Sequence, residues 1–283
     1  MSSSERIISC EPYTGSEELI YSLRDLIKID YEDLFFGVFV HGSVATGEVL
    51  TYSDFDGLLI VKDKFRSSRK LEGFLRDSMR LIYSFDPLQH HGWFLMYESQ
   101  LKEYPQACFP YELFNSSRTI SPSYGISFSI FMPENIDYKG PLFDMIEALD
   151  MKVKNHFVPR NMYQAKAFLS QIMLLPVLYI QALKRHGLNK KDSFKIFEKM
   201  VTENEYYVIE RASYIRESWP LKLNAFQKFC LLRTHGKVRK LIVRYSLPGP
   251  AMQAELIKQL DEKFYNSLHL LLESLKKDDL PPK

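Results

Sequence analysis

The sequence predicts an α+β fold, in which a front part with a small sheet and flanking helices precedes an all-α helical bundle. Two short apolar runs, at residues 34–41 and 57–61, are rich in aromatic and β-branched residues, and a turn-rich segment separates them. These features are typical of neighbouring strands. From about residue 160 onward, long apolar runs recur at helical spacing instead. We predict two domains, at residues 1–150 and 151–283.

The front elements are predicted from periodicity and from turn signals. The first helix has one apolar stripe and a serine that can cap it, and the second helix ends shortly before Pro87. The predicted elements are, in order, a helix over 16–28, strands over 34–41 and 57–61, a helix over 67–83, a strand over 89–96 and an edge strand over 127–132.

The back part is predicted to contain three long helices. They are expected over residues 162–186, 226–245 and 251–275. Pro176 is expected to kink the first helix and Gly187 to end it, because proline lacks an amide hydrogen and glycine readily adopts the left-handed conformation of a helix terminus.

Composition indicates a soluble protein with two electrostatically different parts. Residues 1–150 carry 13 Lys and Arg against 23 Asp and Glu, whereas the remainder carries 24 against 12. Such a split affects which ligands approach each part. No signal peptide or long uninterrupted apolar stretch is evident, so we expect a cytoplasmic protein without a membrane partner. Three widely spaced cysteines predict neither disulfides nor structural zinc.

Two aspartates at the head of the second apolar run are the first candidate site. Side chains alternate along a strand, so Asp54 and Asp56 are expected to point the same way, with Phe55 on the opposite face. Two carboxylates held this close repel each other unless a cation lies between them. Mg²⁺ commonly takes a few carboxylate oxygens and completes its coordination with water and phosphate oxygens. The pair therefore predicts a magnesium site.

A glycine and a serine follow the first apolar run. At Gly42 a backbone without a side chain allows close approach of a phosphate, and the Ser43 hydroxyl can donate a hydrogen bond to it. The pair predicts a phosphate-binding turn beside the metal site. Taken singly, each of these motifs also occurs in ordinary turns, so their joint spacing carries the argument.

This spacing resembles the nucleotidyltransferase superfamily of the polymerase beta type. Its signature is an apolar run, Gly-Ser, about ten residues, and then acid, apolar residue, acid. Here Gly42-Ser43 is followed by ten residues, 44–53, and by Asp54-Phe55-Asp56; Gly47 and Ser53 also match common members. The helices around the motif and the helical back part extend the likeness loosely towards small antibiotic nucleotidyltransferases such as the kanamycin enzyme.

The resemblance implies a mixed sheet and an enzyme that transfers a nucleoside monophosphate from a nucleoside triphosphate, such as ATP, to an acceptor hydroxyl, releasing pyrophosphate. It implies that Gly42 and Ser43, with Ser53 beside them, bind the nucleotide phosphates. It also implies that Asp54 and Asp56 bind Mg²⁺ or Mn²⁺, with Asp56 bridging two ions. The acceptor is a small molecule or an RNA end.

The third acid of the family pattern is missing from the strand predicted over 89–96. Either His90 or His91 takes its place, as a metal ligand or a general base, or Asp86 or Glu98 reaches in from a strand end. Strand alternation puts one histidine on the site face, and we favour His91. The remaining alternative is a nucleotide-binding or partner-binding protein of the same fold that has lost transfer activity.

Basic residues of the back part are further candidates. Lys184 closes one predicted helix, and Lys190 and Lys191 open the next, so all three are expected to bind nucleotide phosphates if this corner faces the cleft. The alternative is solvated lysines at helix ends. A basic run over 237–244 raises a nucleic-acid partner as a second possibility. The basic back part favours an anionic acceptor over a cationic aminoglycoside.

Overall fold

The computed structural model describes residues 4–219, 224–234, 236–243 and 250–277, and its fold is α+β, as predicted. Contacts within the chain define two compact units. The first contains the chain up to Glu134 together with Ala225–Thr234, and the second contains Asn135–Asn224 with His235–Lys283.

The first unit contains a four-stranded mixed sheet in the order β4-β3-β2-β5. Strand β2 pairs antiparallel with β3 on one side and with β5 on the other, whereas β3 and β4 are parallel. The strands are β2 (Phe35–His41), β3 (Asp56–Val61), β4 (Phe94–Tyr97) and β5 (Arg118–Ser121). The two central strands match the two apolar runs of the sequence.

Strand β4 is shorter than predicted. It begins at Phe94 rather than at residue 89, because the residues before it form turns. The Asp86 carbonyl accepts the amide hydrogen of Gln89, and the Asp86 carboxylate accepts that of Leu88. A chain that bends in this way cannot pair with β3, so the histidine pair lies in a loop that leads into the strand.

Two helices cover one face of the sheet. Helix α1 (Glu18–Leu26) and helix α3 (Arg69–Phe85) bury apolar stripes in one core with alternate residues of β2 and β3. Phe74 of α3 packs its ring edge-to-face on Phe35 at 4.7 Å. Ser68 caps α3 by accepting the amide hydrogen of Leu71, which satisfies one of the free donors of its first turn.

A second, two-stranded sheet pairs β1 (Ser4–Cys10) antiparallel with β6 (Ile126–Met132). The strand predicted over 127–132 is therefore present, but its partner is a strand that the sequence did not indicate. Only Ile8 and Cys10 of β1 are buried, so its apolar pattern is weak. Phe128 of β6 packs on Phe39, which points to the side of the main sheet opposite α1 and α3.

The second unit is helical. Its helices pack around α5 and α11, and α4 contacts both of these. The boundary predicted at residue 150 thus falls inside α4, which contacts α5 and α11 of this unit. The helices are α4 (Gly140–Lys154), α5 (Met162–Lys184), α6 (Lys190–Phe197), α7 (Glu203–Glu217), α9 (Gly236–Leu241), α10 (Pro250–Lys258) and α11 (Glu262–Lys277). Helix α8 (Ala225–Arg233) belongs to the first unit and contacts α3.

Helix α5 is long and apolar enough to cross a membrane by length and composition alone. About two thirds of its most apolar window, 67%, is nevertheless buried within the protein, which is typical of a core helix and consistent with a soluble protein. The helix continues through Pro176 and ends at Lys184, not at His186. Arg185 takes the left-handed conformation at its end, with φ 58°, so Gly187 is not the terminating residue.

The two later predicted helices are each interrupted. The segment predicted over 226–245 divides into α8 and α9, with Thr234 outside both, and residues 244–245 lie outside the described part of the chain. The segment predicted over 251–275 divides into α10 and α11. Asp261 begins the second by accepting the amide hydrogen of Phe264, because an aspartate before a helix readily caps it.

Candidate functional site

The ends of three strands meet at the candidate site. Asp56 is the first residue of β3 and pairs with His41, the last residue of β2. Because β4 runs parallel to β3, with Phe94 opposite Leu58, the chain enters both strands at the same edge of the sheet. The segments just before β3 and β4 are therefore neighbours, and they carry the aspartate pair and the histidine pair.

The aspartate pair spans the start of β3. Asp56 lies in the strand, whereas Asp54 precedes it, so the expectation that both lie in a strand is only half met. Phe55 between them is buried and packs edge-to-face on Trp93 at 5.0 Å. The ring of Phe55 anchors this segment in the core, while the side chains of Asp54 and Asp56 keep 13% and 31% of their surface exposed.

Gly42 of the glycine-serine pair lies directly against Asp56. Gly42 has φ +66°, and a Cβ atom at this position would lie 2.6 Å from Asp56 Oδ2. Only glycine tolerates both the left-handed backbone and this approach. The pair also begins a short helix, α2 (Gly42–Thr46), where the sequence indicated only a turn. The structure thus brings Gly42 and Asp56 together, with Ser43 next to Gly42 in the chain.

Ser53 has a structural partner. Its hydroxyl accepts the amide hydrogen of Leu50 at 2.9 Å, and its own amide hydrogen is accepted by the Leu50 carbonyl at 2.9 Å. The side chain is buried and closes the turn that leads to Asp54. The contact of Ser53 with a nucleotide stays a prediction.

Both histidines face the aspartates. His90 Nδ1 lies 3.5 Å from Asp54 Oδ1, and His91 Nε2 lies 3.4 Å from Asp56 Oδ1. The expectation that one of them points to the far face is therefore wrong. Strand alternation does not apply, because both precede the first residue of β4. His91 is at the site as predicted, and His90 joins it.

The electrostatic environment of the site raises the pKa of His91. Burial opposes protonation of its ring, but the hydrogen bond and the charge of Asp56 outweigh this, with further contributions from the Gly92 carbonyl and the charge of Asp54. Together they raise the pKa of His91 to about 9. A cation bound at the aspartates would cancel much of this effect. His91 is therefore protonated at neutral pH when no cation is bound.

His41 is a site residue that the sequence did not single out. Its Nε2 atom is buried and has no hydrogen-bond partner among the described residues. Its ring packs against Phe94 and Phe109, with centroids 5.6 and 5.3 Å apart. Burial lowers the pKa of His41, the charge of Asp56 opposes this, and His91 adds to the lowering. The ring is neutral and forms the apolar side of the site.

Gln89 is a second residue that the sequence did not reveal. Its side-chain amide bonds the backbone of Phe55 twice, and its Nε2 lies 3.3 Å from His91 Nδ1. Gln89 is buried, with 4% of its surface exposed. The sequence does place a glutamine beside two histidines after Pro87. The strand predicted over these residues gave no reason to expect that Gln89 would hold the backbone of Phe55.

The two other acids considered for the third ligand lie elsewhere. The carboxylate of Asp86 is buried and accepts the amide hydrogen of Leu88, so it stabilises the turn before the histidines. Glu98 follows the last residue of β4 and is exposed. It therefore lies at the opposite end of this strand from the histidines. Neither belongs to the group of potential metal ligands around Asp54.

Two groups of side chains among the described residues could hold a metal ion. In the first, one ligand atom each of Asp54, His90 and His91 lies within 4.8 Å of the others. The second consists of Asp150, His269 and Glu273 in the helical unit. There the Asp150 carboxylate already binds the ammonium groups of Lys154 at 2.7 Å and Lys276 at 3.0 Å, so it serves as an ion-pair centre.

The predicted phosphate-binding lysines lie in the helical unit. Lys184 is the last residue of α5, and Lys190 and Lys191 open α6 after the cap residue Asn189. All three lysines are exposed. Their contact with nucleotide phosphates stays a prediction. Of the basic run over 237–244, the side chains of Lys237 and Lys240 and all of Arg244 lie outside the described residues.

No family model matches the chain, and no curated protein matches it. The geometry of the site is therefore the basis for a functional proposal.

Proposed function

We propose that the chain is a divalent-cation-dependent nucleotidyltransferase of the polymerase beta type, as its motif resemblance implies. In this proposal it transfers a nucleoside monophosphate from a nucleoside triphosphate to an acceptor hydroxyl. A bond forms between the acceptor oxygen and the α-phosphorus, and the bond from that phosphorus to the β-bridging oxygen breaks. Pyrophosphate leaves, and the acceptor proton passes to a base.

One observation carries the proposal. The backbone of Gly42 lies so close to Asp56 that a Cβ atom would approach Asp56 Oδ2 to 2.6 Å. The turn that would bind phosphates and the carboxylate that would bind a cation therefore adjoin, although they are fourteen residues apart in sequence. A triphosphate and its counterion need this arrangement, because the cation bridges phosphate oxygens to the protein.

The donor atoms at the site fit a divalent cation. One ligand atom each of Asp54, His90 and His91 lies within 4.8 Å of the others, and Asp56 Oδ1 lies 3.4 Å from His91 Nε2. Among the described residues, His90 Nδ1 is buried without a hydrogen-bond partner. Asp54 and Asp56 would hold Mg²⁺ or Mn²⁺, which would neutralise the charge that develops on the transferring phosphoryl group.

The chain's own groups would supply the remaining requirements. Amide hydrogens at Gly42 and Ser43, and the Ser43 hydroxyl, would bind the leaving phosphates. His91 Nε2 faces Asp56 and, where it does not itself bind the cation, is the candidate to receive the acceptor proton. Gln89 would keep both aspartates in place through the backbone of Phe55.

The acceptor is proposed to be anionic, either a phosphorylated small molecule or an RNA end. The supporting observation is the charge of the back part, where Lys and Arg number 24 against 12 Asp and Glu beyond residue 150. A positive field favours the approach of an anion and disfavours a polycationic aminoglycoside. A cytoplasmic location, where nucleoside triphosphates are abundant, belongs to the same proposal.

A second candidate is a nucleotide-binding protein that does not catalyse transfer. The observation that favours it is the absence of a third carboxylate among the described residues around Asp54 and Asp56, where His90 and His91 lie instead. In this case the same turn and aspartates would bind a nucleotide and a cation, but the acceptor would not be activated.

Two measurements on the full chain distinguish these candidates. Thermal unfolding with ATP, GTP, CTP or UTP, with and without Mg²⁺ or Mn²⁺, reports nucleotide binding, since a ligand of the native state raises the unfolding temperature. Pyrophosphate release with pooled RNA and phosphorylated metabolites reports transfer. Metal-dependent stabilisation with pyrophosphate release supports the enzyme, and stabilisation without release supports the binding protein. Absence of any nucleotide effect contradicts both.

The matched variants are Asp54→Asn and Asp63→Asn. Asp54 lies at the site, whereas Asp63 makes surface interactions with Arg66 and Ser99 in the same unit. The proposal expects Asp54→Asn to abolish the metal-dependent nucleotide effect and Asp63→Asn to keep it.

A further inference from the structure

The imidazoles at the candidate site make it chemically different from an all-carboxylate magnesium site. One ligand atom from each of Asp54, His90 and His91 lies within 4.8 Å of the other two, and Asp56 Oδ1 lies 3.4 Å from His91 Nε2. A single ion with bonds of about 2.0–2.2 Å contacts donors up to about 4.4 Å apart, which is close to these separations. The group offers one carboxylate oxygen and two imidazole nitrogens, and Asp56 adjoins it through His91.

His90 is the first residue that points to a bound metal. Its Nδ1 is buried, has no hydrogen-bond partner among the described residues and lies 3.5 Å from Asp54 Oδ1. Buried polar atoms are almost always satisfied, so an unsatisfied ring nitrogen needs a reason. A metal ion is a partner that a neutral imidazole nitrogen binds directly.

His91 has the orientation of a metal ligand. Its Nδ1 lies 3.0 Å from the Gly92 carbonyl, which can accept a hydrogen bond from it. With the hydrogen on Nδ1, the lone pair of Nε2 points towards Asp56, 3.4 Å away. Metal-binding histidines commonly donate their other ring hydrogen to a backbone carbonyl in this way, which fixes both the tautomer and the ring.

We propose that His90, His91 and Asp54, with Asp56 beside His91, bind a divalent transition-metal ion, such as Mn²⁺, Co²⁺ or Zn²⁺, in preference to Mg²⁺. Imidazole nitrogen suits transition metals, whereas Mg²⁺ favours oxygen ligands and retains its water. The inference rests on the proposed function for the role of the aspartates as ligands. It adds that the histidines replace the missing acid as ligands and thereby determine which ion the site takes.

The test uses the metal ions alone, without nucleotide. The full chain is freed of metal with a chelator and titrated with Co²⁺ and with Mg²⁺, and pulsed electron paramagnetic resonance on the Mn²⁺-loaded chain detects coupling to imidazole nitrogen. We expect Co²⁺ to bind more tightly than Mg²⁺ by at least about tenfold. We also expect nitrogen coupling in the Mn²⁺ spectrum.

Three variants assign the effect to the two rings. His90→Gln and His91→Gln should each lower Co²⁺ affinity about 10–100-fold, as the loss of a metal-supporting contact commonly does, while Mg²⁺ affinity changes less. The control is His186→Gln, whose ring belongs to the helical unit and lies 3.3 Å from the Lys184 carbonyl. Circular dichroism and thermal unfolding of each variant establish that it is folded.

The outcomes separate this inference from the proposed function. Equal affinity for Co²⁺ and Mg²⁺, no nitrogen coupling, or unchanged Co²⁺ affinity in both histidine variants would overturn the inference, even if nucleotides still stabilise the protein with Mg²⁺. Conversely, nitrogen coupling and a preference for Co²⁺, without any nucleotide effect, would support the inference and contradict the proposed function.

Discussion

The side-chain amide of Gln89 holds the backbone of Phe55 at both of its polar groups. Gln89 Oε1 accepts the Phe55 amide hydrogen at 2.9 Å, and Gln89 Nε2 donates to the Phe55 carbonyl at 2.9 Å. Phe55 is the residue between Asp54 and Asp56, so this contact sets the position of both carboxylates. It also links the aspartate segment to the loop that carries His90 and His91.

Replacement of Gln89 should therefore impair the site. In Gln89→Leu the amide hydrogen and the carbonyl of Phe55 lose buried partners, and we expect a loss of about 1–3 kcal/mol in the free energy of unfolding. We also expect the apparent affinity for nucleotide in the presence of metal to fall at least about tenfold, because the contact that positions the aspartates is lost. Urea denaturation and nucleotide titrations followed by thermal unfolding measure the two effects.

The matched control is Gln100→Leu. Gln100 Oε1 also accepts a backbone amide hydrogen, that of Tyr97 at 2.9 Å, but it does so at the far end of β4. This variant should lose stability and keep its nucleotide affinity. If both variants bind nucleotide equally well, Gln89 has no positioning role.

The ion pairs of Asp150 should make the stability of the helical unit depend on pH. The hydrogen bond from Lys154 lowers the pKa of Asp150, burial opposes this, and Lys276 lowers the pKa further. Because the folded state holds this carboxylate below its ordinary value of 3.8, the unfolded state binds the proton first. The stabilisation is therefore present above about pH 4 and is lost as the pH falls through the lower, folded pKa.

Asp150→Asn should remove this contribution. The carboxylate receives ammonium hydrogen bonds at 2.7 and 3.0 Å, so we expect the free energy of unfolding at pH 7 to fall by about 1.5–3 kcal/mol. The difference in the free energy of unfolding between the variant and the native protein, measured by urea denaturation, should shrink towards pH 3. Asp144→Asn, at an exposed position of the same helix, should leave the pH dependence of the free energy of unfolding unchanged. A pH-independent difference for Asp150→Asn would contradict the assignment.

The cysteines should differ in reactivity. Burial raises the pKa of Cys10 to about 12, with Arg118 opposing this and Glu11 adding to it, so its thiol is protonated as well as inaccessible. Cys108 is exposed. Iodoacetamide at pH 8, with peptide mapping over time, should modify Cys108 in the native protein and Cys10 only in urea, since the thiolate is the reactive form. Equal native rates would contradict the burial of Cys10.

The central part of the first unit could be predicted from local signals, and the rest depended on contacts distant in sequence. The runs that became β2 and β3 have dense apolar patterns, and Gly42 begins the segment between them. Strand β1 was not predicted because only two of its residues are buried. The loop with His90 and His91 was misassigned as strand, because the turn that Asp86 forms with Leu88 and Gln89 overrides the apolar pattern that follows.

In the candidate site, too, local sequence signals predicted one part, and the other part depended on contacts distant in sequence. The aspartate motif identified Asp54 and Asp56 through spacing alone, and the structure added which groups face them. Both His90 and His91 face the aspartates because β3 pairs in parallel with β4, which brings the starts of the two strands to one edge of the sheet. No local pattern carries that information.

The most direct test of the central claim is transfer of the α-phosphate. The native chain and Asp56→Asn are incubated with nucleoside triphosphate labelled at the α-phosphorus, Mg²⁺ or Mn²⁺, and the pooled anionic acceptors. The proposal predicts labelled acceptor and stoichiometric pyrophosphate with the native chain, and a loss of at least about a hundredfold with Asp56→Asn at near-native stability. Near-normal transfer by Asp56→Asn would contradict the metal site and, with it, the proposed mechanism.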